Sequence, residues 1–392
     1  MMSLPVTSLR VMSKKRRSRR AKLVRHDAGR ANKYNGESSL DTTLRDAIRS
    51  ALAGEHPLSL LSLASLLIHV ATPEPLALPK SDRRDTCRLD EVLTGLIGAR
   101  TRETTALLAV FAELLVDAPA AQFRCRHELA DRNEHLPQWI NALPQVDVYR
   151  AVRRTHVLGD VDELVIGMRL NGGHELTVAV LIDHNMLSGI VDAGVVPNPI
   201  DEALARVAET SSDTDVVEMT LADARVWIDD ALTKPTLAIG SDTWPLYRAV
   251  VRWLVDRLPE GGEHRSSTSG WESAEKLCDK FFATSFAAPF TESSHRELLL
   301  ELFDTGSGDP LRWSTARIEQ AIGGPLHGDD SIPLEVALDA PDLLRAFIPY
   351  AHAQSGIRDE LTSRGLAVID ALRSSYQRQV LRQATWRFDD AV

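Results

Sequence analysis

Between residues 148 and 196 apolar positions recur at every second residue, while on either side they recur at every third or fourth. Period two is the signature of a strand with one buried face, and a spacing of three to four is that of an amphipathic helix. In 164–170, Leu164, Ile166, Met168 and Leu170 share one face of an extended chain, and after Asn171-Gly172-Gly173 the residues Leu176, Val178, Val180 and Ile182 repeat the pattern. Asn-Gly favours a tight hairpin, because such turns need positive φ and glycine reaches it without a Cβ clash. A run over 190–196 follows the turn-like stretch 183–189, and an earlier run over 148–158 ends at Gly159-Asp160. The island therefore predicts an antiparallel meander of three to four strands. Such a sheet can leave one face wet, and its apolar face needs helices laid across it.

The flanks supply those helices. Asp41-Thr42-Thr43 reads as a cap ahead of Leu44, Ile48 and Leu52. Pro57 opens the apolar run 58–71, which is shorter than the roughly 18 residues a spanning helix needs and carries Ser59, Ser62, Ser65 and His69. After a Pro- and charge-rich break over 73–85, helices are expected at 89–97, at 103–116 and from Pro119 to about residue 135. Past the meander, 215–220 reads as one more strand and 223–232 as a helix, and Thr243 caps a helix with Leu246, Val250, Leu254 and Leu258 in one stripe. The polar, glycine-bearing stretch 260–270 is the best linker. Beyond it the pattern is helical, ending in a long helix striped by Ile369, Leu372, Tyr376 and Val380. The expected fold class is α+β and mostly helical: a basic, disordered tail over 1–35, an α+β domain over 36–260, and a helical C-terminal domain over 271–392.

Composition places this pattern in a soluble, cytoplasmic setting. Three cysteines, Cys87, Cys125 and Cys278, lie far apart with no CxxC pairing, which argues for reduced thiols. Met1 to Met12 has no apolar core of secretory length, and Met12 is a plausible alternative start. Charge is segregated: residues 1–30 hold ten Lys or Arg against one Asp, a formal +9, while the whole chain carries −10. Lys14, Lys15, Arg16, Arg17, Arg19 and Arg20 form a run with no apolar residue to bury and no aromatic residue for base stacking. Such an arm can contact a phosphate backbone weakly and with strong salt dependence, solvate the chain, or fold back on the acidic body.

Several catalytic motifs are approached and not completed. Asp304-Thr305-Gly306-Ser307 spells an aspartic-protease loop, yet it exists once and follows a helix-like run, so a helix end with a glycine turn explains it better. His127-Glu128-Leu129-Ala130-Asp131 places His127, Asp131 and His135 at helical spacing, but Arg124, Arg126 and Arg132 would oppose a divalent cation. Asp183-His184-Asn185 closes the best strand, where turn chemistry is the ordinary account. Asp183 and His184 are the candidate catalytic pair, with His174 and Asp192 as possible metal ligands beside them. The chain has no P-loop lysine, GxGxxG, GxSxG or cysteine–histidine zinc pair, and no cofactor is expected.

Gly308-Asp309-Pro310-Leu311-Arg312-Trp313-Ser314, Ala340-Pro341-Asp342-Leu343-Leu344-Arg345-Ala346-Phe347, and the meander with its Gly172-Gly173-His174-Glu175 turn and Ile182-Asp183-His184-Asn185 resemble stretches in a family of uncharacterised actinobacterial proteins, over residues 140–385. The resemblance implies a bacterial cytoplasmic setting and assigns no chemistry. The first expectation is thus a non-catalytic binding or interaction protein, its tail touching nucleic acid and its helical C-terminal unit offering a protein surface. The alternative is a metal-assisted hydrolase with its site at the 183–185 turn. A DNA-binding C-terminal module is a third reading, for which Arg312, Arg317, Arg345 and Arg358 are widely scattered.

Overall fold

The computed structural model describes residues 38–54, 56–72, 88–208, 213–234, 241–264, 271–324 and 332–389. The basic run 14–20, Cys87, the break at 73–85 and the second half of the expected linker lie outside these residues.

Five antiparallel strands form one sheet in the order β4-β3-β2-β1-β5: β1 (Asp147–His156), β2 (Val161–Leu170), β3 (His174–Asp183), β4 (Gly189–Val196) and β5 (Thr214–Met219). The first four are the meander, and the strand read at 215–220 joins its far edge beside β1. The hairpin between β2 and β3 closes with Leu170 opposite His174, so its loop has three residues, and positive φ falls on Gly172 (108°) and Gly173 (84°) and not on Asn171.

Alternation along the strands decides which face each helix covers. Leu164, Ile166, Met168, Leu176, Val178, Val180 and Ile182 join one buried core with residues from α1 (Ser38–Ala53), α2 (Leu58–Ala71), α3 (Leu89–Gly98), α4 (Arg102–Leu114), and α5 (Pro119–Ala130). Trp139 and Ile140 of the short α6 (Gln138–Asn141) belong to the same core. The opposite face is smaller: Val152 and Val165 pack with Ile200 of α7 (Ile200–Ala208) and with Tyr149. Gly167 explains itself here, since a Cβ would sit 2.8 Å from the Tyr149 ring and 3.1 Å from Ile200 Cβ. Helices α8 (Leu221–Thr233) and α9 (Trp244–Val255) return to the main core.

A second buried core spans Ala274 to Val380. It is built by α10 (Trp271–Phe282), α11 (Ser293–Phe303), α12 (Thr315–Ile322), α13 (Leu334–Leu338), α14 (Ala340–Ser355) and α15 (Asp359–Asp389). Ile369, Tyr376 and Val380 are the buried stripe of the last helix. Leu158, from the β1–β2 turn, packs with Ile357 and Leu361 in a small separate cluster that joins the sheet to the C-terminal helices. The first half of the expected linker is not free chain: Glu263 N–H donates to Asp223 at 2.7 Å, and a Cβ on Gly262 would collide with the backbone of Ala222.

Helix ends refine the sequence reading. α1 starts at Ser38, ahead of the expected Asp41 cap, and α5 ends at Ala130, leaving His135 beyond it. Among the described residues no helix is long and apolar enough to cross a membrane.

Candidate active site

At one end of the sheet the apolar face gives way to polar side chains on the same face. Asp162 continues the parity of Leu164 and Ile166, and the register sets it opposite Thr155 on β1 and Ile182 on β3. A 3-10 turn, His184–Met186, then carries the chain over this end, anchored by His184 N–H on the Asp160 carbonyl (2.7 Å) and by Asn185 N–H on Asp183 Oδ1 (2.8 Å). The next two residues, Leu187 and Ser188, hold φ of 60° and 56°, and are the non-glycine residues at positive φ among those described. Side-chain crowding makes that conformation costly, and it persists where the surroundings enforce it.

The turn lays the imidazole of His184 between two oxygens. Nε2 lies 3.0 Å from Asp162 Oδ2, and Nδ1 lies 3.0 Å from Ser188 Oγ. Asp162 is buried and accepts a second hydrogen bond from the Thr155 hydroxyl. Burial alone would push its carboxyl up; the hydrogen bonds from His184 and Thr155, with the nearby charges of His184 and Arg153, outweigh burial and hold it below the ordinary aspartate value. An ionised Asp162 accepts only, so Nε2 carries the proton and Nδ1 presents its lone pair to the serine hydroxyl. The His184 side chain is 19% exposed and that of Asp162 4%, so the contacts run from a buried carboxylate to the half-buried Ser188. Beside it, Trp227 of α8 meets the His184 ring edge-on at 6.4 Å, the Arg153 guanidinium lies 4.9 Å from the indole centre, and His264 stacks at 4.3 Å. Leu187, 63% exposed, flanks Ser188.

The four residues singled out in sequence do not converge. His174 opens β3 and Asp183 closes it, so about 30 Å of strand separate them. His174 instead meets the ring of His56 at 5.6 Å. Asp192 sits at the β-bulge of β4 and binds Ser241 Oγ (2.7 Å) and the Thr243 hydroxyl. Thr243 therefore spends its hydroxyl on Asp192, and Ser241 Oγ accepts the N–H groups of Thr243 and Trp244 at the start of α9. Asp183 caps its own turn, and burial together with neighbouring Asp160 raises its carboxyl. No group of three or more metal-ligating side chains assembles among the described residues. His184 is the one candidate that enters the site, with Asp162 and Ser188 as the partners that inspection of the sequence missed. The signal for Asp162 was its core-facing parity, and for Ser188 its place four residues after His184, ahead of Gly189.

Other motifs resolve into architecture. Asp304 ends α11 and Gly306, at φ 61°, turns the chain. Glu128 binds Arg132 and Arg100, and Asp131 ends α5. Burial pushes the Cys125 thiol up to about 11 and that of Cys278 to about 12, so neither is a thiolate nucleophile at neutral pH. Arg312, Arg345 and Arg358 pair with Asp309, Asp370 and Asp213, and Arg317 is buried, which leaves those four arginines no shared basic face.

The turn also leans on the C-terminal helices. Gln320 donates to the Asn185 carbonyl at 3.2 Å, and a Cβ on Gly306 would lie 2.4 Å from Asn185 Oδ1 and 2.8 Å from Arg317 Cγ. Asp160 lies in this joint. Burial raises its carboxyl despite hydrogen bonds from Ser314 and Asn185.

Comparison with protein-family models, with curated proteins and with solved structures gives no match.

Proposed function

We propose that this protein is a serine-type hydrolase of esters, with Ser188 as nucleophile, His184 as general base and Asp162 as the residue that fixes the imidazole. The observation that carries the reading is the continuous chain Asp162–His184–Ser188, with 3.0 Å on both sides of the ring. Ser188 Oγ attacks the ester carbonyl as its proton passes to His184 Nδ1, and the departing alkoxide takes that proton. Water then cleaves the acyl-serine with His184 again as base, so ester and water become acid and alcohol. Roles are reversed between the two ring nitrogens relative to the familiar serine proteases, and in a neutral imidazole either nitrogen can carry the proton while the other accepts. This reading replaces metal-assisted hydrolysis because Asp183, His174 and Asp192 are engaged elsewhere, whereas His184 faces a hydroxyl.

A fluorophosphonate probe tests the reading directly. Ser188 Oγ should displace fluoride from phosphorus, the intact mass should rise by one phosphonyl group per chain, and fragmentation should place it on Ser188. Ser188→Ala and His184→Ala should remove the label. Labelling elsewhere, or none in the folded wild-type protein, overturns the assignment.

Charge segregation favours a second reading, in which the chain binds a partner without catalysis: the +9 of residues 1–30 contacts nucleic acid, and the helical C-terminal half contacts protein. RNA binding by the full-length chain should then weaken steeply with salt, and disappear when Lys14, Lys15, Arg16, Arg17, Arg19 and Arg20 are all changed to Gln. Equal binding by that variant at every salt concentration rejects it.

A further inference from the structure

β1 and β2 carry four arginines, and three of them are spent on carboxylates. Arg150 binds Glu218 and Asp201, Arg154 binds Glu163 in a buried pair, and Arg169 binds Glu175. Arg153 differs: it makes no hydrogen bond or ion pair with a described residue, and its guanidinium rests 4.9 Å from the centre of the Trp227 ring. It projects from the core-facing side of β1, opposite Leu164 and two register positions from the Thr155–Asp162 pair, and it is only half-buried. Its charge adds to the hydrogen bonds from His184 and Thr155 that hold the Asp162 carboxyl low. The same indole meets His184 edge-on, so the cation and the base are held by one rigid side chain.

A guanidinium laid on an aromatic ring keeps its N–H fork free for a planar oxyanion, and the ring fixes the fork's direction in advance. Asp162, whose charge Arg153 faces, gives its oxygens to Thr155 and His184, so the Arg153 N–H groups have no acceptor among the described residues, and a bound anion would supply one. On the apolar side, the exposed Leu187 stands next to the hydroxyl.

Resting on the Ser188 reading above, we infer that the substrate is an ester that also carries an ionised carboxylate, and that Arg153 receives this carboxylate while Ser188 attacks the ester carbonyl. Arg153 is then the residue that selects among esters. A half-ester of a dicarboxylic acid fits this chemistry: cleavage releases the alcohol and leaves the dicarboxylate.

The experiment compares 4-nitrophenyl hemisuccinate with the neutral 4-nitrophenyl butyrate on the full-length protein. Wild type should favour the anionic ester by about tenfold or more in kcat/KM, a charge-assisted bidentate contact being strong enough for that, and the preference should shrink as salt is raised. Arg153→Gln should bring the ratio to about one, and Arg153→Lys, which keeps charge without the fork, should retain part of it. Equal rates for the two esters in wild type, or an undiminished ratio in Arg153→Gln, overturn the inference while fluorophosphonate labelling of Ser188 still stands. Absence of that labelling removes the nucleophile and the inference together. Should Arg153→Gln fail to fold, the wild-type ratio and its salt dependence decide alone.

Discussion

Arg317 in the C-terminal core and Asp162 at the end of the sheet are two buried charged side chains satisfied in opposite ways. In the C-terminal helical core, Arg317 is fully buried and donates to the backbone carbonyls of Phe303, Arg312 and Asp309, with its guanidinium 4.1 Å from the Trp313 ring centre. Trp313 gives its indole N–H to the Pro310 carbonyl and its backbone N–H to His352 Nε2. These groups close loops between helices, and Arg317 spends its hydrogen bonds on backbone carbonyls. At the end of the sheet, Asp162, Thr155, His184 and Ser188 bond to one another, and the chain of contacts ends at the half-buried hydroxyl of Ser188. A buried polar group whose partners are backbone atoms holds a fold, whereas one whose partners are side chains leading outward can move a proton. That distinction separates Arg317 from the relay at the end of the sheet; elsewhere among the C-terminal helices His295 pairs with Asp339 at 3.1 Å and His352 with the Thr362 hydroxyl at 2.9 Å.

The sharpest way to break the contrast is to alter the acceptor of the relay. Asp162→Asn keeps the shape but can favour the wrong histidine tautomer, and the rate of fluorophosphonate labelling should fall by on the order of 10³-fold. A fall of less than tenfold would return Asp162 and His184 to purely architectural roles. Next comes Arg317→Met, which leaves three carbonyls without their donor. Urea unfolding should show a loss of about 3–5 kcal/mol, while Ser188 in the molecules that remain folded still takes up the probe.

The third effect is one of pH. Burial lowers His352 from 6.5 to about 4. The unfolded chain therefore binds the proton more readily, and the stabilisation present above pH 6.5 is lost as pH falls toward about 4, amounting to on the order of 3 kcal/mol. His352→Gln should flatten this limb of the stability curve. If the limb is unchanged, the acid sensitivity arises elsewhere. The smallest effect is expected at Leu187, where glycine relieves the positive φ. Leu187→Gly should raise stability by up to about 1 kcal/mol, as thermal unfolding would show, and it should slow esterase turnover by loosening the segment that holds Ser188.

Much of the fold is legible in the chain. Alternation through Leu164 to Ile182 orients the sheet, the glycines after Asn171 mark the hairpin, and Trp313-Ser314 announces a helix whose cap is Ser314 Oγ accepting the Arg317 N–H at 3.0 Å. All of these are local, set by parity or by a few neighbouring residues. The site was legible at one residue, His184, because its carboxylate partner comes from another strand and its hydroxyl partner, four residues on, reads as part of an ordinary polar turn. Asp162 reaches it only through the registers of β1 with β2 and β2 with β3, and no short spacing in the sequence encodes that pairing. Asp192 misled for the same reason, since its partners Ser241 and Thr243 lie about fifty positions downstream.

The joint at Asn185 and Gly306 bears on how this gene can change. The turn that holds His184 and Ser188 is shaped partly by residues more than a hundred positions away: Gln320 on its carbonyl, and Gly306 beneath its amide. A recombination event that exchanged everything after residue 270 for a divergent counterpart would bring in a foreign surface under that turn, even with every residue of the relay retained. The two halves are thus expected to be inherited as a matched set, with substitutions at 160 and 185 compensated at 306, 314 and 320.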